Sequence, residues 1–212
     1  MARQGARRWA VIGAAIAGAG LAVVAARSLG WWDDNRSTRG VGLQPAPAGT
    51  SASESSDEPT EADVLAREFE DFQALTERVR TSPTADLDGL RLMLDHAEAY
   101  PPDSSLPVSE VESIRRGIYA MSSLVNIARV WTRNGVVAET RARALASAVR
   151  LSTDEDATTR MACAATLVAA RDAAGGAALT SVENRTLDAL LADREVKWQL
   201  DRLHAAWREE AR

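Results

Sequence analysis

The sequence predicts an all-α protein in which a membrane-associated N-terminal segment precedes one helical domain. Residues 9–26 are apolar and uncharged, and residues 33–59 are rich in Ser, Pro, Gly and acidic side chains. From residue 60 onward, apolar side chains recur at the three- and four-residue spacing of amphipathic helices. We therefore expect an anchor or signal at 1–32, a linker at 33–59, and an all-α domain at 60–212 that is a multi-helix bundle or a short α-solenoid.

The apolar stretch at 9–26 is long enough to cross a membrane as a single transmembrane helix. Its eighteen residues would span roughly 27 Å at a helical rise of ~1.5 Å, close to the ~30 Å of a hydrocarbon core. Arg3, Arg7 and Arg8 precede the stretch, and no acidic residue occurs before Asp33. Because basic flanks stay in the cytoplasm, we expect a single-pass anchor in the cytoplasmic membrane with the C-terminal domain outside.

One alternative is a cleaved secretory signal, which would give a secreted or periplasmic protein, and another is a buried helix of a soluble protein. Small side chains at Ala25 and Ala26 suit a cleavage site. The apolar region of a signal usually has ~7–15 residues, however, fewer than this stretch contains. Trp31 and Trp32 also follow at the position where an aromatic belt meets the outer interface. These features favour the anchor.

Small side chains recur at every fourth position within the apolar stretch, at Ala10, Ala14, Gly18 and Ala22. Such a stripe lets two membrane helices approach closely. The alternative is a chance feature of a segment rich in Ala and Gly. The stripe makes these four residues candidates for self-association, or for packing on another membrane helix.

The linker at 33–59 offers little apolar surface beyond Val41 and Leu43. Chain entropy therefore outweighs any gain from burial, and a disordered linker is predicted. A docking motif within 52–58 is the alternative to a plain tether.

Residues 60–212 carry nineteen basic and twenty-five acidic side chains, a balance that argues against nucleic-acid binding.

Capping signals divide the domain into helices. Thr60 with Asp63 opens a helix at 61–80, and Ser82 followed by Pro83 is expected to open the next. Ser109 and Glu112 have the spacing of a capping box for a helix at 110–133, which ends before a left-handed Gly135. That helix has the widest apolar surface, with Ile118 near its middle, so we expect it to be central.

Shorter, Ala-rich helices are expected after Gly135. Their predicted ranges are 137–151, 156–173, 182–192 and 194–210. Thr180 and Glu183 have the spacing of a capping box for the third of them.

Two eight-residue segments in this region share a pattern. Residues 156–163 and 193–200 each begin with Asp, with a β-branched residue fourth, a basic residue fifth and a small or apolar residue eighth. This pattern resembles the helix start in HEAT-like α-helical repeats. The basic residues, Arg160 and Lys197, lie 37 positions apart, near the ~40–47 residues of such repeats. The resemblance covers 136–212 and implies stacked helix pairs, capped by the earlier helices.

No motif for catalysis, a cofactor or a metal is recognisable. His96 and His204 are the only histidines, and Cys163 is far from both in sequence, so the three-ligand spacing of a catalytic zinc site is missing. Cys163 lies among alanines and is expected to be a small buried side chain. No catalytic, cofactor-binding or metal-binding residue is therefore assigned.

The last helix has two contrasting faces. One face carries Val196, Leu200, Leu203 and Trp207, whereas Trp198 lies on the opposite one. Leu187 and Leu191, four residues apart on the preceding helix, are expected to line the same side as Trp198. This side would be a second contact within the chain or a surface for a protein partner, for which Trp is a typical anchor.

These features predict a membrane-tethered, extracytoplasmic helical module for protein interaction or scaffolding. The identity of the protein partner does not follow from the sequence. The alternative is an extracytoplasmic enzyme whose site is assembled from scattered polar residues. A deep pocket with convergent polar groups would favour the enzyme, and an exposed apolar patch would favour the module.

Overall fold

The computed structural model describes residues 61–101 and 108–212. Within these ranges the chain forms helices and no strand, which confirms the all-α prediction. The described helices are α1 (Glu61–Thr81), α2 (Leu87–Glu98), α3 (Glu110–Asn134), α4 (Ala138–Leu151), α5 (Ala157–Asp172), α6 (Ser181–Ala192) and α7 (Arg194–Glu210).

The chain divides into two compact units, Met1–Asp71 and Phe72–Arg212. Of the first unit, only residues 61–71 are described, and they form the first half of α1. The second unit contains the rest of α1 and all of the later helices. The predicted domain start at residue 60 stays a prediction.

The helices of the second unit pack in two series. In one series α5 lies against both α3 and α7, and in the other α4 lies against both α2 and α6. The pairs α2–α3, α4–α5 and α6–α7 also pack together, so they form consecutive helical hairpins. Helix α5 contacts a helix on each side as well as α4 and α6, and it is therefore the structural centre of the unit.

Two helix starts that were predicted from a capping residue and a glutamate three positions later are confirmed, at Thr180 and at Ser109. The Thr180 hydroxyl accepts from the Glu183 backbone N–H at 3.3 Å, and the Glu183 carboxylate accepts from the Thr180 N–H at 2.7 Å. Ser109 caps α3 by accepting from the Glu112 N–H at 3.2 Å, but the predicted capping box is only half formed, because the Glu112 carboxylate accepts from Arg116 instead. These bonds satisfy amides that have no partner inside the helix.

The predicted start of α2 is wrong. The helix begins at Leu87, and its N-cap is Asp86, whose carboxylate accepts from the Gly89 N–H at 3.0 Å. The Ser82 hydroxyl donates instead to the Thr84 carbonyl at 2.6 Å, and the Pro83 carbonyl accepts from the Asn134 side chain at 3.0 Å. A tertiary contact from the end of α3 thus holds residues 82–86 outside the helix.

The core is centred on α3 and α5. The C-terminal half of α3 is enclosed, and Leu124, Ile127 and Trp131 are fully buried, whereas Ile118 is only half-buried. Along α5, every side chain from residue 161 to 167 is buried. The predicted central position of α3 is therefore shared with α5, whose small side chains allow helices on several sides to approach closely.

Hydrogen bonds between loops join successive hairpins. Before α4, Arg133 donates to the carbonyls of Arg80 and Ser82, and the Val136 N–H donates to the Ala174 carbonyl at 2.9 Å. At the opposite ends of the helices, the Tyr100 hydroxyl donates to the Asp154 carboxylate at 3.1 Å. The hairpins are thus fixed to one another at both ends as well as through their packed faces.

Candidate partner surface on the C-terminal hairpin

Helix α7 presents one face to the core and another to solvent. Val196, Leu200 and Leu203 are buried, whereas the Trp198 side chain is 52% exposed. This division confirms the two faces predicted for the helix. An indole exposed to this extent contributes little to the core, and it is a large apolar surface open to another molecule.

The residues predicted to accompany Trp198 differ in their positions. Leu187 is only 1% exposed, so it belongs to the core and offers no surface to a partner. With Leu190 it forms the buried stripe of α6, which packs against α4, α5 and α7. Leu191 is half-buried. Of the three predicted residues, Trp198 and part of Leu191 are therefore accessible to a partner, and Leu187 is not.

A charged side chain lies over the exposed indole. The guanidinium carbon of Arg202 lies 5.0 Å from the centroid of the Trp198 ring, within the range of a cation–π contact. Lys197 donates to Asp201 at 2.8 Å on the adjacent part of the helix. Stacking by Arg202 restrains the ring, so less side-chain entropy remains to be lost when a partner covers it.

Comparisons were made with protein-family models, with curated proteins and with solved structures. None of the three found a match to this chain.

Each of the two segments that resemble each other in sequence begins at the N-cap of a helix. Asp156 caps α5 by accepting from the Thr159 N–H at 3.1 Å, and Asp193 caps α7 by accepting from the Glu195 N–H at 2.9 Å. Arg160 links them because its guanidinium donates to Asp193 at 2.8 Å. This bond, helped by the backbone amides of the cap, holds the pKa of Asp193 below its usual range.

The side chains most often used in catalysis are dispersed. Cys163 is completely buried, and burial raises the pKa of its thiol to about 12, which keeps it un-ionised. His96 lies on α2 and His204 on α7, and burial lowers the pKa of both. Among residues 61–101 and 108–212, no three His, Cys, Asp or Glu side chains are arranged to hold a metal ion.

A second polar contact was not foreseen from the sequence. Arg129 of α3 donates to Glu210 at the end of α7, and these two residues are 81 positions apart in the sequence. Nearby on α7, the rings of His204 and Trp207 lie 5.5 Å apart. No local signal pairs Arg129 with Glu210, because only the packing of α3 and α7 on α5 brings them together.

Several predicted features fall outside the described residues. They are the apolar stretch at 9–26 with its stripe of Ala10, Ala14, Gly18 and Ala22, and the linker at 33–59. Of the helices that the structure describes, none has both the length and the apolar character needed to cross a membrane.

Proposed function

We propose that this protein is a membrane-tethered, extracytoplasmic helical module that binds a protein partner through the surface around Trp198. The observation that supports this most directly is the half-exposed indole of α7, held beneath the Arg202 guanidinium. Large aromatic side chains that are restrained before binding are typical anchors of protein interfaces.

The arrangement of hairpins supports a short HEAT-like α-solenoid as the scaffold of this module. Three consecutive hairpins pack in two series, and helix starts at equivalent positions carry Asp156 and Asp193 as caps. Arg160 joins the two positions directly. In repeat proteins each hairpin contacts its neighbours, and the resulting extended surface serves to bind other proteins.

The sequence supports the proposed location. Arg3, Arg7 and Arg8 precede the uncharged stretch at 9–26, so the domain would lie outside the cytoplasm at the end of a single-pass anchor. The stripe that includes Ala14 and Gly18 would allow two anchors to associate. Cleavage after the stretch would instead give a secreted or periplasmic module with the same domain.

Replacing the exposed indole tests the proposal. Trp198→Ala should remove the anchor and weaken partner binding by about tenfold or more, the usual effect at an interface hot spot. Leu92→Ala is the matched control, because Leu92 on α2 is 48% exposed and removal of its side chain should leave the Trp198 surface unchanged. The two variants and the parent chain would be purified from membranes after cross-linking, and the associated proteins would be quantified by mass spectrometry.

The expected result is a set of proteins recovered with the parent chain and with Leu92→Ala but depleted with Trp198→Ala. Equal recovery of every associated protein with Trp198→Ala would contradict the proposed surface. Circular dichroism should show that both variants retain the helix content and thermal stability of the parent. This control separates a loss of binding from a loss of folding.

A further inference from the structure

The second half of α1 occupies a groove between α2 and α3. The Phe72 ring stacks on Tyr119 with centroids 4.2 Å apart, and His96 meets both rings edge-on at 5.0 and 5.3 Å. Val79 is fully buried, and a Cβ placed on Gly89 would lie only 2.5 Å from its side chain. Residues 72–81 are therefore docked closely, with a glycine of α2 making room for them.

Buried hydroxyls without hydrogen-bond partners lie in this groove. The Thr76 and Ser123 hydroxyl oxygens are both inaccessible and make no hydrogen bond. Thr76 lies one turn beyond Phe72, and Ser123 lies one turn beyond the stacked Tyr119. Each unpaired hydroxyl loses its bonds to water on docking and gains none in return, so it weakens the association of α1 with α3.

Fewer buried side chains hold this part of α1 in place than hold α5. On α5, ten side chains are buried, and the buried Thr166 hydroxyl donates to the Ala162 carbonyl at 2.9 Å. In residues 72–81, the buried side chains are Phe72, Thr76 and Val79. At the end of α1, Arg133 donates to the carbonyls of Arg80 and Ser82. The bond to Arg80 must break when the helix leaves the groove, whereas the bond to Ser82 can remain and keep the connection to α2 attached.

From these observations we propose that residues 72–81 form a release helix. This segment leaves the groove between α2 and α3 while the remaining helices stay folded, and residues 82–86 act as the hinge. Release would uncover the aromatic groove around Tyr119 and His96, and docking would cover it again. Because α1 directly follows the predicted linker, a force or a partner acting on the N-terminal side would reach this helix first. The proposal does not depend on the Trp198 surface.

Hydrogen exchange of the full-length chain in detergent micelles tests the release. Peptides covering residues 72–81 should exchange at least 100-fold faster than peptides covering 120–131 of α3, after correction for intrinsic rates. Sub-global opening gives such a difference, whereas a single cooperative unit gives equal protection. Equal protection of the two segments would overturn the proposal.

Replacing threonine with valine at two different positions tests whether the unpaired hydroxyl weakens the docking of α1. Thr76→Val removes an unpaired hydroxyl with little change of shape, so it should slow exchange in 72–81 by about tenfold and leave 120–131 unchanged. Thr166→Val is the matched control, because it removes a hydroxyl that is hydrogen-bonded and should accelerate exchange in 120–131. Faster exchange in 72–81 with Thr76→Val would show that the Thr76 hydroxyl strengthens docking, and the proposal would then be wrong.

Discussion

Gly135 ends α3 in a backbone conformation that is accessible almost only to glycine. Its φ and ψ are 88° and 166°, and a Cβ there would lie 2.8 Å from the Ala174 carbonyl oxygen. Gly175 also has a positive φ, of 76°, but its nearest contact would be an ordinary 3.9 Å from the Val136 carbonyl. Substitutions at these two glycines therefore distinguish the cost of backbone strain from the cost of a steric clash.

We predict that Gly135→Ala lowers the free energy of unfolding by about 2–4 kcal/mol, because strain and a clash act together. Gly175→Ala, the control, should cost about 1 kcal/mol, the strain alone. Thermal unfolding of the full-length chain followed by circular dichroism would measure both. Equal losses for the two variants would mean that the contact between residue 135 and Ala174 does not matter for stability.

Cys163 gives the unfolding free energy a distinct pH dependence. Burial, with a smaller effect of the Asp154 carboxylate, raises the pKa of the thiol from 9.0 to about 12. Above pH 9 the thiol ionises in the unfolded chain and stays protonated in the folded one, so unfolding becomes easier. The stabilisation is complete below pH 9 and is lost as the pH rises toward 12.

Between pH 9 and 11, the unfolding free energy of the parent chain should therefore fall more steeply than that of Cys163→Ala. The expected difference in slope approaches 1.4 kcal/mol per pH unit, the free energy equivalent to one pKa unit. Chemical denaturation at several pH values would measure it, and the alanine variant corrects for every other group that titrates. Parallel slopes would contradict a neutral, buried thiol.

Single residues also show which local features a sequence reveals. Thr180 and Glu183 complete a capping box within four positions, and nothing distant competes with them. Ser82 and Pro83 make an equally good local signal, but Asn134 binds the Pro83 carbonyl from another helix. Asp86 then becomes the cap. Local chemistry decides a helix start only where no tertiary contact claims the same groups.

At the scale of the helix, α5 combines two large buried side chains, Met161 and Leu167, with a run of small buried residues that lets neighbouring helices approach closely. Residues 162–165 are Ala, Cys, Ala and Ala, and all four are completely buried. Small side chains bring neighbouring backbones near, so an added side chain has no space to enter. This packing makes α5 sensitive to enlargement of its residues.

Ala165→Leu should lower the free energy of unfolding by about 2–3 kcal/mol through overpacking. Ala146→Leu is its control, because Ala146 is exposed on α4 and the change should stay within about 0.5 kcal/mol. The measurement is thermal unfolding of each full-length variant beside the parent chain. If Ala165→Leu is tolerated as well as Ala146→Leu, the interior around α5 is looser than the burial of its alanines indicates.

The central position of α5 could not be predicted from its sequence, for a physical reason. Helical periodicity is recognised by the contrast between large apolar and polar side chains, and six of the sixteen residues of α5 are alanine, which weakens that contrast. Helix α3 has that contrast, so its burial at Leu124 and Ile127 was predictable in outline. The exposure of Trp198 was also predictable, since one helix face already supplied Val196, Leu200 and Leu203 to the core.

Across the whole molecule, the two proposed functional features lie on the first and the last described helices. Leu187 shows why only part of the candidate surface was predictable. Its spacing from Leu191 places both on adjacent turns of α6, but the packing of α6 on α4, α5 and α7 decides which one is covered. Membrane topology, in contrast, depends on the charges that flank the apolar stretch and not on helix packing. It can therefore be predicted from the sequence and tested directly.

We predict that the C-terminus of the chain lies outside the cytoplasm. Arg3, Arg7 and Arg8 should keep the N-terminus inside, because positive flanks are retained on the cytoplasmic face. A reporter that is active only outside the cytoplasm, fused after Arg212, should therefore be active. Replacing the three arginines with Gln is the control, since the basic residues that remain near the stretch, Arg27, Arg36 and Arg39, all follow it, and the change should markedly reduce that activity. Activity of a reporter that works only in the cytoplasm would reverse the proposed orientation and place the Trp198 surface on the other side of the membrane.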